Sequence, residues 1–166
     1  MARLFVIMGV SGSGKSTLAE ALARETGWPR LEADDFHPAR NIAKMRSGHP
    51  LSNEDRRQWI ASMREAIAVL TDEAVIATCS ALNSQVREWL TQGLERQVYW
   101  CWLRVDERVA RDRLKSRTGH FMPESLISSQ FEALEPPEDV WQIDATVPFI
   151  EMFNQINTRI AGAVAG

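Results

Sequence analysis

The sequence has little cysteine, no surplus of positive charge and no long apolar run, and each shortage closes off a class of function. Cys79 and Cys101 are the two cysteines among 166 residues. Each lies in or just after an apolar stretch, Ala74 to Cys79 and Val98 to Leu103, with no ligand-like spacing beside it. Both are therefore expected as buried thiols rather than as a disulfide or a metal site. A formal charge of −3 lacks the basic footprint of a nucleic-acid partner. No apolar run nears the ~18 residues of a membrane span. With a strand expected from Leu4 onward, a signal peptide is not expected. Internal repeats, low-complexity tracts and linkers are missing too, as is the N-K-x-D motif that reads guanine. What remains is the expectation of one domain over residues 1–166, soluble, in a reducing cytoplasmic setting, with neither membrane nor nucleic acid as partner.

The apolar patterning supplies the fold class. Leu4 to Met8 is a continuous apolar run that stops at Gly9, the pattern of a strand buried on both faces. Ser16 to Glu25 has helical spacing and ends before Gly27 and Pro29. A short strand near Arg30 to Ala33 follows, then a mixed stretch from His37 to Ser52 with room for one short helix, then a helix over Glu54 to Leu70. Further strands are expected at Ala74 to Thr78, Val98 to Leu103 and Val140 to Asp144. The expected helices run over Asn83 to Thr91, Glu107 to Arg117, Glu124 to Leu134 and Pro148 to Ala161. Strand and helix alternate, so the class is α/β, a parallel sheet with helices on both faces. Ligands of such sheets bind beyond the C-terminal strand ends, which directs attention to the residues just after Met8, Ala33, Thr78, Leu103 and Asp144. Trp100 and Trp102 share a strand face and read as packing groups.

Gly9-Val10-Ser11-Gly12-Ser13-Gly14-Lys15-Ser16, followed by Thr17, fills every fixed position of the phosphate loop G-x-x-x-x-G-K-[ST], between an expected strand and an expected helix. Its glycines let backbone N–H groups turn inward around phosphate oxygens, and the helix N-terminus adds partial positive charge. Lys15 reaches the β- and γ-phosphates of ATP, and the Ser16 hydroxyl suits Mg²⁺.

At the end of the second strand stand Glu32, Asp34 and Asp35. A carboxylate there orients an attacking hydroxyl and accepts its proton, while another holds metal-bound water; for Asp35, capping of the next helix is an equal alternative. His37, Arg40, Lys44, Arg56 and Arg87 crowd into neighbouring strand-end segments. Guanidinium forks suit a substrate carboxylate and imidazole suits sugar hydroxyls. His49 has no comparable context and is taken as structural. Arg113 and Arg117 lie four apart, ahead of Gly119 and His120. Helical arginines before a glycine break suit a lid over about 118–125 that closes on ATP and screens the charge of the moving phosphoryl group.

These residues resemble the gluconate kinases (gluconokinases), phosphate-loop enzymes close to shikimate and adenylate kinases. The similarity runs through MGVSGSGKST at Met8 to Thr17, DDFHP at Asp34 to Pro38, CSAL at Cys79 to Leu82, RLKSRTGHFMP at Arg113 to Pro123 and SQFEALEPP at Ser129 to Pro137. The resemblance implies a five-stranded parallel sheet, Mg-ATP as donor, gluconate as acceptor, 6-phosphogluconate as product and a homodimer. It also implies roles: Asp34 as the acceptor-side carboxylate, Glu32 on magnesium through water, and His37, Arg56 and His120 near gluconate. Arg113 and Arg117 would belong to the lid. Asn83 and Val86 depart from the family, which has Lys and Tyr there, while Arg87 is kept. That departure leaves two alternatives: a kinase of this fold acting on another sugar acid or polyol, and a nucleotide-binding regulator without acceptor chemistry.

Overall fold

The computed structural model describes residues 1–117 and 123–166. Arg3–Met8 forms β1, paired in parallel on one side with β3 (Ala74–Cys79) and on the other with β4 (Gln97–Arg104). The edge strands are β2 (Arg30–Glu32), beside β3, and β5 (Trp141–Asp144), beside β4, giving the order β2-β3-β1-β4-β5. Every ladder is parallel, as the alternation of strand and helix requires.

The side chains of β1 show why the run of apolar residues is unbroken. Leu4, Val6 and Met8 enter one core with Trp59, Ile60, Met63 and Ile67 of the helix α3 (Asn53–Ala68). Phe5 and Ile7 enter the other core, with Leu18 and Leu22 of α1 (Lys15–Thr26) and Ile156 of α7 (Phe149–Ala165). On this second face Phe5 stacks against Tyr99 at 5.1 Å and Trp28 at 5.6 Å. Trp100 and Trp102 pack against the first core, on one face as their alternation requires. Cys79 and Cys101 are buried and free.

Around the site the structure refines the sequence-based expectation, and the short helix expected within His37 to Ser52 is present. The acidic stretch after β2 turns into a single 3-10 turn, Ala33–Phe36, because Trp59 Nε1 donates to Ala33 O at 2.6 Å and holds it under α3. The basic stretch after it folds as α2 (Ala39–Arg46), and α3 starts at a capping box in which Ser52 and Asp55 satisfy each other's backbone N–H. The helix α5 (Glu107–Lys115) stops before Arg117, so Arg113 and Arg117 do not share a helical face. A 3-10 turn (Glu124–Leu126) leads into α6 (Ile127–Ala133). Ser84–Thr91 forms α4. Among the described residues no helix is long and apolar enough to cross a membrane.

Candidate active site

The glycines of the phosphate loop answer to close packing. Gly12 has φ +81°, and a Cβ there would lie 2.5 Å from Ala110 O on α5. Gly14, at φ +96°, is the N-cap of α1, so the loop delivers its backbone directly to a helix N-terminus. Lys15 is folded onto the loop, its Nζ donating to Gly9 O at 3.0 Å and Val10 O at 2.9 Å. The enclosed loop strips water from the ammonium and lowers its pKa, opposed by the negative charge of Asp34. Ser16 Oγ donates to Glu32 Oε2 at 3.0 Å; Thr78 Oγ1 donates to the same oxygen and Arg30 to Oε1. Glu32 is thereby fixed at the foot of the loop, with a hydroxyl and a carboxylate oxygen side by side.

A cavity of about 400 Å³ opens beyond the ends of β1, β2 and β3. It brings together Lys15, Ser16, Glu32, Asp34, His37, Arg56 and Arg117. Asp34 is exposed there, His37 Nε2 lies 4.0 Å from Asp34 Oδ1, and the His37 ring stacks on Trp59 with centroids 4.0 Å apart. Burial pushes the imidazole down to a pKa of about 4, so the ring is neutral near pH 7. Arg56 is half-buried and loses hydration, which lowers its pKa. Cys79 also lines the cavity, but burial pushes its thiol up to about 12, which leaves it un-ionised.

Other candidates take different places. Arg87 is not among the residues lining this cavity. Its guanidinium donates to Ala81 O at 2.8 Å and Glu135 O at 3.2 Å, tying the turn after β3 to the segment after α6. Arg113 donates to Gly12 O and Ser13 O, at 3.4 and 3.3 Å, and to Ala145 O. It thus braces the phosphate loop from α5 and lines a second, smaller cavity of about 290 Å³ with Thr17, Arg117, Val147, Phe149 and Met152. Lys44 pairs with Asp55 at 2.6 Å and Arg40 with Gln58, so both serve the contact of α2 with α3. Asp35 is exposed and lies off the cavity. His49 is exposed and meets Ser47 Oγ at 2.8 Å. His120, and most of the lid expected over 118–125, lie outside the described residues.

Sequence reasoning passed over Gln130. Its Oε1 accepts from Ser11 N at 2.7 Å and its Nε2 donates to Ser11 Oγ at 3.3 Å. Only its place in the SQFEALEPP stretch pointed to it. Thr78 was read merely as strand, and its bond to Glu32 had no signal in periodicity.

Three comparisons bear on this geometry. A family model described as an AAA domain matches residues 4–137. The thermosensitive gluconokinase of Escherichia coli (strain K12) is 41% identical over 146 residues, which span 84% of this chain and 78% of that protein. The crystal structure of a gluconokinase from Sinorhizobium meliloti 1021 superposes with a TM-score of 0.85 at 37% identity, covering 98% of this chain and 95% of the other. A sugar kinase from Janibacter sp. HTCC2649 gives 0.86 at 40% identity, covering 95% and 94%. With a complete phosphate loop facing an acidic, arginine-bearing pocket, and relatives of this identity over most of its length, the chain belongs to the gluconokinase family of phosphate-loop kinases.

Proposed function

We propose that this chain transfers the γ-phosphoryl group of ATP to the primary hydroxyl of gluconate, forming 6-phosphogluconate and ADP. The observation that carries it is the single cavity shared by Lys15 and Ser16 on one side and Asp34, His37 and Arg56 on the other. Donor and acceptor groups must lie this close for in-line transfer.

On this reading the loop amides and Lys15 hold the β- and γ-phosphates. Asp34 orients the acceptor hydroxyl and takes its proton as the O–P bond forms. His37, neutral, reads a sugar hydroxyl, and Arg56 meets the carboxylate of the acid. Arg117, which lines both cavities, screens charge on the transferring group. The smaller cavity has an apolar side of Val147, Phe149 and Met152 that suits the nucleotide base. Ser16 and Glu32 offer the hard oxygen donors that suit Mg²⁺, Ser16 directly and Glu32 through water. The ion, when bound, neutralises phosphate charge.

The departures at Asn83 and Val86 lie away from the proposed acceptor groups and do not count against gluconate. Val86 is 2% exposed in the first core, and the Asn83 side chain accepts from Val86 N to cap α4. Neither lines the cavity. The same reading carries a cytoplasmic location and a homodimer, the latter checked by light scattering on the purified protein.

An ADP-release assay with gluconate, other aldonates, shikimate, AMP and ATP alone tests the assignment. Turnover dependent on gluconate is expected, and Lys15→Ala should abolish it while leaving the fold intact. Turnover on a different acid or polyol with none on gluconate would move the substrate. Binding of ATP with no acceptor phosphorylated would indicate a regulator.

A further inference from the structure

Asn41 is 1% exposed, sits on α2 and takes no part in the cavity lining, yet its carboxamide touches the ring that does. Its Nδ2 donates to the backbone carbonyl of Asp55 at 3.0 Å and faces His37 Nδ1 at 3.4 Å. The Asp55 carbonyl decides which way the amide points. Turned over, Asn41 would place its own oxygen against that carbonyl oxygen, two acceptors with no hydrogen between them. The observed orientation leaves Asn41 Oδ1 buried with no partner among the described residues, a cost the fold accepts. A donor opposite Nδ1 requires that nitrogen to be the bare one, so the ring proton resides on Nε2. Nε2 is the nitrogen that lies 4.0 Å from Asp34 Oδ1. The stack on Trp59, itself anchored to Ala33 O, keeps the ring from turning to exchange its two nitrogens.

We propose that Asn41 is a positioning residue for phosphoryl transfer: it fixes His37 as the Nε2–H tautomer, so that an N–H rather than a lone pair faces Asp34 and the acceptor hydroxyl. The opposite tautomer would set a lone pair against the carboxylate and withdraw a donor from the pocket. The inference rests on the acceptor role given to His37 and Asp34 above, and it reaches further by naming the residue that sets their hydrogen-bond polarity.

Long-range ¹H–¹⁵N correlation NMR of the uniformly labelled full chain reads the tautomer directly, without any acceptor. The expected spectrum has His37 Nδ1 at the shift of an unprotonated ring nitrogen and Nε2 at that of a protonated one. Asn41→Ser and Asn41→Ala should move both resonances toward an averaged pair and lower kcat with gluconate about tenfold. KM for ATP should stay within about twofold, since the loop is untouched. A wild-type ring protonated on Nδ1, or variants that keep the Nε2–H signature, would overturn the proposal, and the wild-type spectrum decides it even if neither variant folds. Absence of gluconate turnover in the wild type would instead overturn the substrate assignment, leaving the tautomer measurement to stand by itself.

Discussion

Ser16 and Glu32 are joined by a hydrogen bond of 3.0 Å between Oγ and Oε2, which links the first turn of α1 to the end of β2. Thr78 donates to the same carboxylate oxygen from β3, so three neighbouring segments of the sheet's C-terminal edge converge on one side chain. Glu32→Gln keeps the volume and removes the charge. Loss of a charged hydrogen-bond partner at such a site costs about 1.5–3 kcal/mol. The expected outcome is a fall in kcat/KM for Mg-ATP of about 10- to 100-fold, with a higher Mg²⁺ concentration needed for half-maximal rate. An Mg²⁺ titration of initial velocity checks this; an unchanged half-saturation would remove Glu32 from the metal side of the site.

Arg87 holds a strained turn. Ala81 has φ +47°, unfavourable for a residue with a Cβ, and Arg87 caps its carbonyl while also reaching Glu135 O. Glu135 completes the clasp, its N–H donating to Leu82 O and its carboxylate accepting from Ser84 N, both at 2.8 Å. Arg87→Ala should therefore lower unfolding free energy by on the order of 2 kcal/mol, measured by urea denaturation. KM for gluconate should change by less than about threefold. A large rise in that KM with stability intact would return Arg87 to the acceptor.

Gln130 makes a two-point contact with Ser11, the third residue of the phosphate loop, from α6. Neutral hydrogen bonds of this kind contribute about 0.5–1.5 kcal/mol each. Gln130→Ala frees the Ser11 amide in the phosphate loop, and on the proposed mechanism kcat is expected to fall about tenfold. The melting temperature should shift by no more than about 3 °C. Steady-state kinetics beside a thermal melt separate the two; a fall in stability with kcat preserved would make Gln130 a packing residue only.

The legible parts of this molecule are those fixed by short-range chemistry. β1 was readable because a strand buried on both faces has no polar position, and the phosphate loop because glycine and lysine spacing is dictated by phosphate. Asp34 and His37 were readable because they follow a strand end, where a ligand of such a sheet lies; Arg56, from the start of α3, joins them in lining the cavity. Arg87 and Arg113 have main-chain partners that the sequence did not announce, for one common reason. A guanidinium suits a main-chain carbonyl as well as it suits an anion, and which it meets depends on loop packing that periodicity does not encode. The end of α5 was read too long because nothing between Lys115 and Thr118 breaks helical spacing; Ser116 ends the helix with its N–H on Leu114 O. Asn41 and Gln130 had no signal of their own. Their roles arise from contacts with His37 and with Ser11, and the latter lies 119 residues away in sequence.

The His37 ring also sets a pH dependence of stability. Burial lowers its pKa from 6.5 to about 4, so between these values the unfolded chain carries a proton that the native ring refuses. Stability then falls as pH drops through the window from about 6.5 to about 4, by up to on the order of 3 kcal/mol if the ring stays dry. Below that window a second group takes over. Asp55, held near 2 by its bonds to Lys44 and to the Ser52 backbone, contributes stability that is present above its ordinary value of 3.8 and lost as pH falls toward 2. Urea unfolding of the wild type at pH values from about 4 to about 7 should show the decline, and His37→Gln should flatten it whatever its stability at neutral pH. Equal slopes in the two proteins would mean that the imidazole takes up its proton in the native state as readily as in the unfolded chain, and that the pocket around Trp59 is wetter than its packing indicates.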